Sequence, residues 1–575
     1  MKKYHLFGIF TLMSLFVILM GVGFSLDVNS AHSAQTDMSA DEAACLSLLD
    51  VRDLVIVDAK IVVSDSETYC RVSGITGQIH YAVKLPVAEQ WNGRFLMNGD
   101  GGHDGDIDLV NFTGTDTTGY AVANSDMGHS RVTEPGSTFA FNNRQAEIDY
   151  GYRAVHTTVL AAKHLIQQFY GRPPDFSYFD GCSTGGRQAA VEAQRYPDDF
   201  DGIVAGALFN NAIEIAMEQV WSSALFIRDV DGDGVGFDNL ISQEDIDALE
   251  ATVLDAVDVL GNDRIRDGVV NNPLAASEVF TEADIDAFGE ARGLTDGQIQ
   301  AIKDVYAGPH DSTGQNQWYS GKPIGTEYAW GFYVIPTEAP FPDGNGMVPF
   351  QTGFSATFVN ELWFEHDPGR PTANPLDPSL LPGEGEFRWI DFDFDRNTPT
   401  GGTTNPVVGP WNPDDGGAFM REILNGSETD LTPFLVNNDA KYLIYHGWGD
   451  GLIPGGPTVD YYNGIVADTF GGDVEAASNN IRLFMVPGMG HCADEFGTGS
   501  ASEWDKLAPL VEWVENDNAP DSIVVTHTNS DGVVDNERII CTWPLQPTYI
   551  GPMDGAENDP VNWVASNFEC QPQEE

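Results

Sequence analysis

The sequence predicts an α/β fold in which a long insertion interrupts a parallel sheet. Phe176–Asp180 alternates aromatic and polar residues as a short strand does, and a helix-favouring segment follows from Arg187. Tyr442–Tyr445 and the segment IRLFMVPGMGHC are further apolar strands that end in polar or glycine-containing turns. Between Gly206 and about Asn438 the composition shifts toward Gly, Pro, Trp and Asp, which indicates an inserted lid domain.

The first 34 residues predict an export signal rather than a part of the fold. Lys2 and Lys3 precede an apolar run from Leu6 to Leu26, and small residues surround a predicted cleavage site near Ala34. The run is also long enough for a retained membrane anchor, which stays an alternative. We predict a secreted or periplasmic protein without stable membrane association after cleavage. Its core then spans residues 35–206 and 439–575, with the lid at 207–438.

The charge of the chain is strongly negative. Asp and Glu number 87 against 28 Lys and Arg, a formal net charge of −59. Nucleic acids and anionic membrane surfaces repel such a protein, so the charge argues against both as partners. Because the carboxylates are spread over the whole chain, they predict a solvated acidic surface, which suits a saline medium.

The six cysteines predict disulfides. Their number is even, and thiols oxidise outside the cytoplasm, so three bridges are expected from fifteen connectivities. Local pairing would give Cys45–Cys70 and Cys541–Cys570 and would leave Cys182 with Cys492.

The segment GCSTG, with Ser183 at its centre, predicts a nucleophile. A strand, a tight turn and a helix are the context of the nucleophile elbow, in which the turn lifts a serine hydroxyl clear of the sheet edge. A simple Gly-Ser turn is the alternative for the pentapeptide taken alone.

A serine nucleophile needs a base, and the base needs an orienting carboxylate. Asp450 and His491 each follow a predicted strand, in the chain order Ser, Asp, His of the α/β-hydrolase fold. The carboxyl ends of parallel strands meet at one sheet edge, so Ser183, Asp450 and His491 are predicted to meet there. Singly, Asp450 and His491 would each be ordinary turn residues.

An oxyanion hole requires two N–H donors. The backbone of Thr184, directly after the nucleophile, predicts one donor. The glycine loop RFLMNGDGGHDG predicts the other at Gly101 or Gly102, with a plain glycine turn as the alternative.

Several long motifs resemble the tannase and feruloyl esterase family. They include WNGRFLMNGDGGHDG, GCSTGGRQAAVEAQRYPDDFDGIVAGA, YLIYHGWGDGLIP and PGMGHC. The resemblance implies an α/β-hydrolase fold with a lid, Ser183 as nucleophile, His491 as base and Asp450 as its orienter. It also implies a Cys182–Cys492 bridge beneath the triad. Bacterial hydrolases of mono(2-hydroxyethyl) terephthalate share the pattern.

The lid carries aromatic residues and two acidic clusters. Trp318, Trp330, Trp363 and Trp389 are candidates for stacking an aromatic acyl group, with a core position as the alternative for each. The segment LDAVDVLGNDRIRDGVV resembles the family's calcium loop. The resemblance implies ligands from Asp255, Asp263 and Asp267 and from the carbonyls of Ile265 and Val269.

Two departures separate this loop from the family pattern. The longer spacing between the first two aspartates leaves Asp258 as a rival of Asp255, and the flanking cysteines are missing. A second cluster, Asp229, Asp231 and Asp233 before Gly234, matches the first half of an EF-hand loop, but Leu240 stands where a glutamate belongs. A solvated acidic surface is the alternative for both clusters.

These features together predict a secreted serine esterase that cleaves small esters of aromatic acids through an acyl-enzyme. Gallate, ferulate and terephthalate half-esters fit the pattern equally. The alternative is a catalytically inactive extracellular calcium-binding protein of the same fold, which the intact Ser, Asp and His disfavour.

Overall fold

The strands that precede the predicted site residues belong to one nine-stranded sheet. The computed structural model describes residues 39–109, 115–228, 230, 237–260, 264–314, 317–335, 349–363, 392, 394, 417–494, 496–553 and 555–572. The strands of the large sheet are β1 Val55–Val63, β2 Thr68–Thr76, β3 Ile79–Pro86, β4 Arg94–Asn98, β5 Ala121–Ser125, β6 Phe176–Cys182, β7 Gly202–Gly206, β8 Lys441–Gly447 and β9 Ile481–Val486. Two small two-stranded sheets pair β10 Ser522–Thr528 with β11 Val534–Cys541 and β12 Gln546–Tyr549 with β13 Phe568–Gln571.

The order of the large sheet is β1-β2-β3-β5-β4-β6-β7-β8-β9. The pairs among β1, β2, β3 and β5 are antiparallel, and every pair from β5 to β9 is parallel. Cys182 pairs with Gly206, and Gly206 pairs with Tyr445, so β6, β7 and β8 end nearly level. The predicted α/β-hydrolase fold is confirmed.

Helices cover the sheet and form most of the described insertion. They are α1 Ala40–Ser47, α2 Arg144–Ile148, α3 Ala154–Tyr170, α4 Thr184–Arg195, α5 Ala212–Ile227, α6 Gln243–Val257, α7 Pro273–Ala276, α8 Glu282–Arg292, α9 Asp296–Ala307, α10 Trp330–Tyr333, α11 Phe350–Thr357, α12 Gly417–Leu424, α13 Gly456–Phe470, α14 Val474–Ala477 and α15 Ala508–Asn516. None of the helices in the described ranges is long and apolar enough to cross a bilayer.

Both faces of the parallel part of the sheet are buried, because parallel strands pack helices on each side, whereas β1 at the antiparallel edge has a single buried residue. Tyr442 and Ile444 of β8 belong to the core shared with α3, α4 and α13, whereas Leu443 and Tyr445 belong to the core shared with α15. The alternation of side chains along a strand therefore explains why β8 is apolar at successive positions.

The insertion between β7 and β8 builds a third core around α5. Helices α9, α11 and α12 pack on α5, and Trp330 is fully buried in this core. A buried ion pair joins Lys322 to Glu218 at 2.7 Å, and Lys322 Nζ also donates to the Leu452 carbonyl at 2.9 Å. The insertion is thus fixed to the loop that follows β8.

Candidate active site

Ser183 stands in the turn between β6 and α4, in a strained conformation. Its φ is +64° and its ψ is −121°, a backbone conformation that residues other than glycine rarely adopt. The Ser183 N–H donates to the Gly206 carbonyl at 3.0 Å, which fixes the turn to β7. Neighbouring glycines are required by close packing, since a Cβ on Gly181 would lie 2.8 Å from the Gly185 Cα. This is the geometry of a nucleophile elbow.

Asp450 and His491 meet at the same sheet edge. His491 Nδ1 lies 2.8 Å from Asp450 Oδ2, and both residues are buried. The other oxygen of Asp450 accepts hydrogen bonds from the N–H groups of Leu452 and Ile453, at 2.9 and 2.8 Å. The carboxylate is therefore held in place by the loop that carries it.

A second histidine, His446, supports Asp450 from within β8. Its Nε2 lies 3.0 Å from the Ile453 carbonyl and 3.3 Å from Asp450 Oδ2, while its Nδ1 lies 2.7 Å from Thr458 Oγ1. Burial alone would raise the pKa of Asp450, but the charge of His491 and the hydrogen bonds from His446 and His491 hold that pKa well below its usual range. Asp450 thus stays ionised beside His491.

The two predicted oxyanion donors lie on different elements, one in the elbow itself and one in the loop that follows β4. Thr184 is the first residue of α4, so its N–H has no partner within the helix. Asp104 N–H donates to the Gly101 carbonyl at 2.9 Å, which fixes the Gly101–Gly102 peptide and hence the direction of the Gly102 N–H. Tyr150 Oη and Thr184 Oγ1 both donate to the Gly102 carbonyl, at 3.0 and 2.8 Å.

A cavity of about 290 Å³ brings these groups together. It is lined by Gly101, Gly102, Ser183, Thr184, Phe209, Gln219, Phe332, Tyr333, Phe350, Phe354, Leu452, Ile453, His491 and Cys492. Five of the lining side chains are aromatic, and among the described residues none is Asp, Glu, Lys or Arg. The walls therefore suit an uncharged ring.

The aromatic wall is not made by the tryptophans singled out in the sequence. Trp330 is fully buried and its Nε1 donates to Thr326 Oγ1, so it occupies the core position that was the alternative to stacking. Trp318 packs on the core of the insertion and does not line the cavity. The Trp363 side chain and the whole of Trp389 lie outside the described residues.

One helix of the insertion contacts the glycine loop after β4 through an aromatic stack. The His103 ring, next to Gly102, stacks on Phe354 of α11 with ring centroids 4.0 Å apart. Burial, with the neighbouring charges of His129 and Arg187, lowers the pKa of His103 to about 3, so the ring is neutral. Sequence reasoning missed His103, His446 and the phenylalanines, because nothing local marks which residues line the cavity or contact the residues that do.

The three disulfides connect the cysteines in the pattern that local pairing of the first two and the last two cysteines predicts. Cys45–Cys70, Cys182–Cys492 and Cys541–Cys570 are bonded, with Cα–Cα distances of 5.5, 6.1 and 5.7 Å. The second bridge joins the residue before Ser183 to the residue after His491. It therefore connects the elbow directly to the loop that carries the histidine.

The first acidic cluster of the insertion is only partly as expected. Asp255 is exposed on α6, whereas Asp258, just past the end of this helix, is buried beside Asp267. Burial and the Asp267 charge raise the pKa of Asp258 to about 6. Asp267 also pairs with Arg538 of β11.

Four aspartates of the two acidic clusters fall in segments that the structure does not describe. Asp263 lies outside the described residues, and so do Asp229, Asp231 and Asp233. Ile265 and Val269 are both buried, next to Asp267 in the chain.

Three further side chains with metal-binding atoms lie close together, one on α3, one on α4 and one in the loop after α4. His156 Nδ1 is 2.6 Å from Asp199 Oδ2, and Glu192 faces the same aspartate. Burial, together with the charge of Asp199, raises the pKa of Glu192 well above its usual range.

Comparison with known proteins agrees with this geometry. The sequence matches the family described as tannase and feruloyl esterase over residues 63–366 and 407–564. It is 30% identical over 545 residues to a mono(2-hydroxyethyl) terephthalate hydrolase of Piscinibacter sakaiensis, which covers 87% of this chain and 82% of that protein. It is also 30% identical over 510 residues to a probable feruloyl esterase of Arthroderma benhamiae, with coverages of 86% and 83%.

Solved structures share the fold. An esterase from Aspergillus oryzae has a TM-score of 0.70 at 22% identity, covering 92% of this chain and 100% of that one. A tannin acyl hydrolase from Aspergillus niger has a TM-score of 0.67 at 19% identity, covering 93% and 95%. The chain belongs to the tannase and feruloyl esterase family and is a carboxylic ester hydrolase.

Proposed function

We propose that the protein hydrolyses esters of aromatic carboxylic acids through an acyl-enzyme formed on Ser183. One observation carries the proposal. Ser183, in a nucleophile elbow, and His491, oriented by Asp450, line the same aromatic-walled cavity.

His491 acts as the general base. Its Nδ1 donates to the ionised Asp450, so in the neutral imidazole Nε2 is the nitrogen that accepts a proton. Nε2 takes the proton of Ser183 as Oγ attacks the ester carbonyl, and then gives it to the leaving alcohol. Nε2 next deprotonates a water molecule, which attacks the acyl-enzyme and releases the carboxylic acid.

The N–H groups of Gly102 and Thr184 stabilise the tetrahedral intermediate. Each donor of this kind contributes roughly 3–4 kcal/mol to the transition state. The bond from Asp104 N–H to the Gly101 carbonyl supports this role, since it fixes the Gly102 donor before substrate binds.

The aromatic wall supports an aromatic acyl group. Phe332 and Phe350 are each half exposed at the cavity, and Phe209 and Phe354 meet edge to face with centroids 5.6 Å apart. A substrate ring that packs between such side chains gains both burial and favourable ring geometry.

Aromatic esters should therefore be preferred over aliphatic ones. For at least one of methyl gallate, methyl ferulate and mono(2-hydroxyethyl) terephthalate, kcat/KM should exceed that for methyl butyrate by at least about tenfold. Replacing Phe332 by alanine should reduce this ratio, because the aliphatic ester does not need the ring. Equal kcat/KM for methyl butyrate and all three aromatic esters would contradict the proposed substrate class.

We also propose that the protein is exported. The charged and apolar leader at residues 1–34 and the three disulfides support this location.

We propose a structural calcium ion in the insertion, held by Asp258 and Asp267 and by the carbonyls of Ile265 and Val269. The Asp258 Oδ1 atom is buried and has no hydrogen-bond partner among the described residues. A hard cation that prefers oxygen ligands would satisfy this atom and relieve the repulsion between the two carboxylates. Asp255 is exposed, and we therefore leave it out of the ligand set.

Removing calcium should destabilise the protein. Saturation at one hundred times Kd contributes about 2.7 kcal/mol, so chelation should lower Tm by a few degrees and added calcium should restore it. Asp258→Ala should abolish this dependence of Tm on calcium, whereas Asp255→Ala should retain it. Calcium dependence that survives Asp258→Ala, or is missing in the wild type, would refute the proposed site.

A further inference from the structure

Asp100, which immediately precedes the oxyanion glycines, makes two reciprocal hydrogen bonds to the nucleophile helix. Its backbone N–H donates to Gln188 Oε1 at 2.9 Å, and Gln188 Nε2 donates to Asp100 Oδ2 at 2.8 Å. Both side chains are buried. Gln188 lies four residues after Thr184, so it is on the same face of α4 one turn further on.

The other carboxylate oxygen of Asp100 is bonded from the opposite side. Asn124 of β5 donates from Nδ2 to Asp100 Oδ1 at 2.8 Å. The Asn124 Oδ1 atom accepts from the Asp108 N–H, also at 2.8 Å. Asp100 is thus clamped between β5 and α4.

This arrangement requires a side chain at position 100 whose two terminal atoms both accept hydrogen bonds. A backbone N–H can only donate, so the N–H groups of Asp100 and Asp108 fix the orientations of the Gln188 and Asn124 amides. Both amides then present NH₂ groups to the Asp100 carboxylate. An amide at position 100 would place its NH₂ group against the NH₂ group of Gln188 or Asn124. Flipping the Gln188 or Asn124 amide would not help, because its NH₂ group would then face the backbone N–H of residue 100 or of Asp108.

The same contact lies where the glycine loop meets α4, close in sequence to both proposed oxyanion donors. The loop packs directly on the start of α4, where a Cβ on Gly99 would lie 2.8 Å from the Gly185 Cα. Gly102 N–H belongs to this loop and Thr184 N–H belongs to α4. We propose that Asp100 is a positioning residue, whose pair with Gln188 holds the oxyanion loop in register with the nucleophile helix.

The inference rests on the proposed function, and single substitutions test it. Asp100→Asn breaks the complementary pair by opposing donors. Gln188→Glu breaks it by opposing two carboxylates at a pH above the pKa of Asp100, which burial raises to about 7, so kcat is compared on the alkaline side of that value. Each should lower kcat about 10- to 100-fold, because a displaced oxyanion donor weakens the transition state. KM for the best aromatic ester should stay within about threefold, since the aromatic side chains of the cavity wall are unchanged.

The double variant provides the control. In Asp100→Asn with Gln188→Glu, the new amide donates to the new carboxylate, which also accepts from the backbone N–H of residue 100. Asn124 still donates to the remaining carbonyl oxygen, so the bonds among residues 100, 124 and 188 are restored, and only the contact of Gln188 Nε2 with Met127 Sδ at 3.2 Å is lost. The double variant should recover kcat to within about threefold of the wild type. If a single variant does not fold, Gln188→Met, which removes both bonds without adding charge, should show the same loss of kcat.

The outcomes separate this inference from the proposed function. Loss in both single variants with recovery in the double variant supports a positioning role. Single variants with wild-type kcat, losses that follow only the folded fraction, or a double variant without recovery would each overturn it. An active Ser183→Ala variant would overturn the proposed function instead.

Discussion

Replacing Ser183 by alanine should lower kcat at least about 10³-fold while the protein still folds. The hydroxyl is the attacking group, so its removal leaves only the residual catalysis of the oxyanion donors and of substrate binding. The cavity and the Asp450–His491 pair do not depend on it. We expect KM to change little and the thermal unfolding curve to be close to that of the wild type.

The matched control is Ser177→Ala, a buried serine at the start of the same strand β6. Its kcat should stay within about twofold of the wild type, because Ser177 lies at the opposite end of the strand from the cavity. Turnover above one tenth of wild type in Ser183→Ala would refute the assignment of Ser183.

Removing the Cys182–Cys492 bridge should lower both stability and activity. The bridge closes a loop over a sequence separation of 310, and its loss should cost at most about 5 kcal/mol of unfolding free energy. The same bridge joins the elbow to the His491 loop. The double alanine variant should therefore lose at least about tenfold in kcat at temperatures where it remains folded.

The bridge between Cys45 and Cys70 is the control for stability alone. It lies in α1 and β2, at the far edge of the sheet from the cavity. Its removal should lower Tm but leave kcat of the folded protein unchanged. A Cys182→Ala/Cys492→Ala variant with wild-type kcat would show that the bridge is not needed for the geometry of the site. Peptide mapping without reductant should recover the Ser183 and His491 peptides linked together.

The sequence predicted Ser183, Asp450 and His491 because each follows a strand of a parallel sheet. Residues that directly follow such strands meet at one edge whatever the rest of the chain does. The elbow was equally local, since the positions of Gly181 and Gly185 follow from close packing between strand and helix.

The cavity wall could not be predicted, because it depends on contacts between distant parts of the chain. Phe209 follows β7 and Phe354 lies in α11, yet they meet edge to face. Trp330 is an aromatic residue of the same insertion as Phe354, but its side chain is buried in the core of the insertion. The role of His446 could not be predicted either, because its contact with Asp450 depends on the turn after β8.

The proposed calcium loop shows how the position of a helix end decides between neighbouring residues. Helix α6 runs to Val257, so Asp255 lies within its last turn and faces solvent. Asp258 follows the helix end and turns inward toward Asp267. Spacing along the chain does not reveal where a helix ends to within one turn, and it could not separate these two residues.

Labelling with an aryl fluorophosphonate tests the central claim most directly. The reagent phosphonylates an activated serine with loss of fluoride, and intact mass and peptide mapping locate the adduct. We predict one adduct per chain, on the peptide that contains Ser183, formed in parallel with loss of esterase activity and missing from Ser183→Ala. Loss of activity with the adduct on another residue, or full activity after complete labelling of Ser183, would contradict the account.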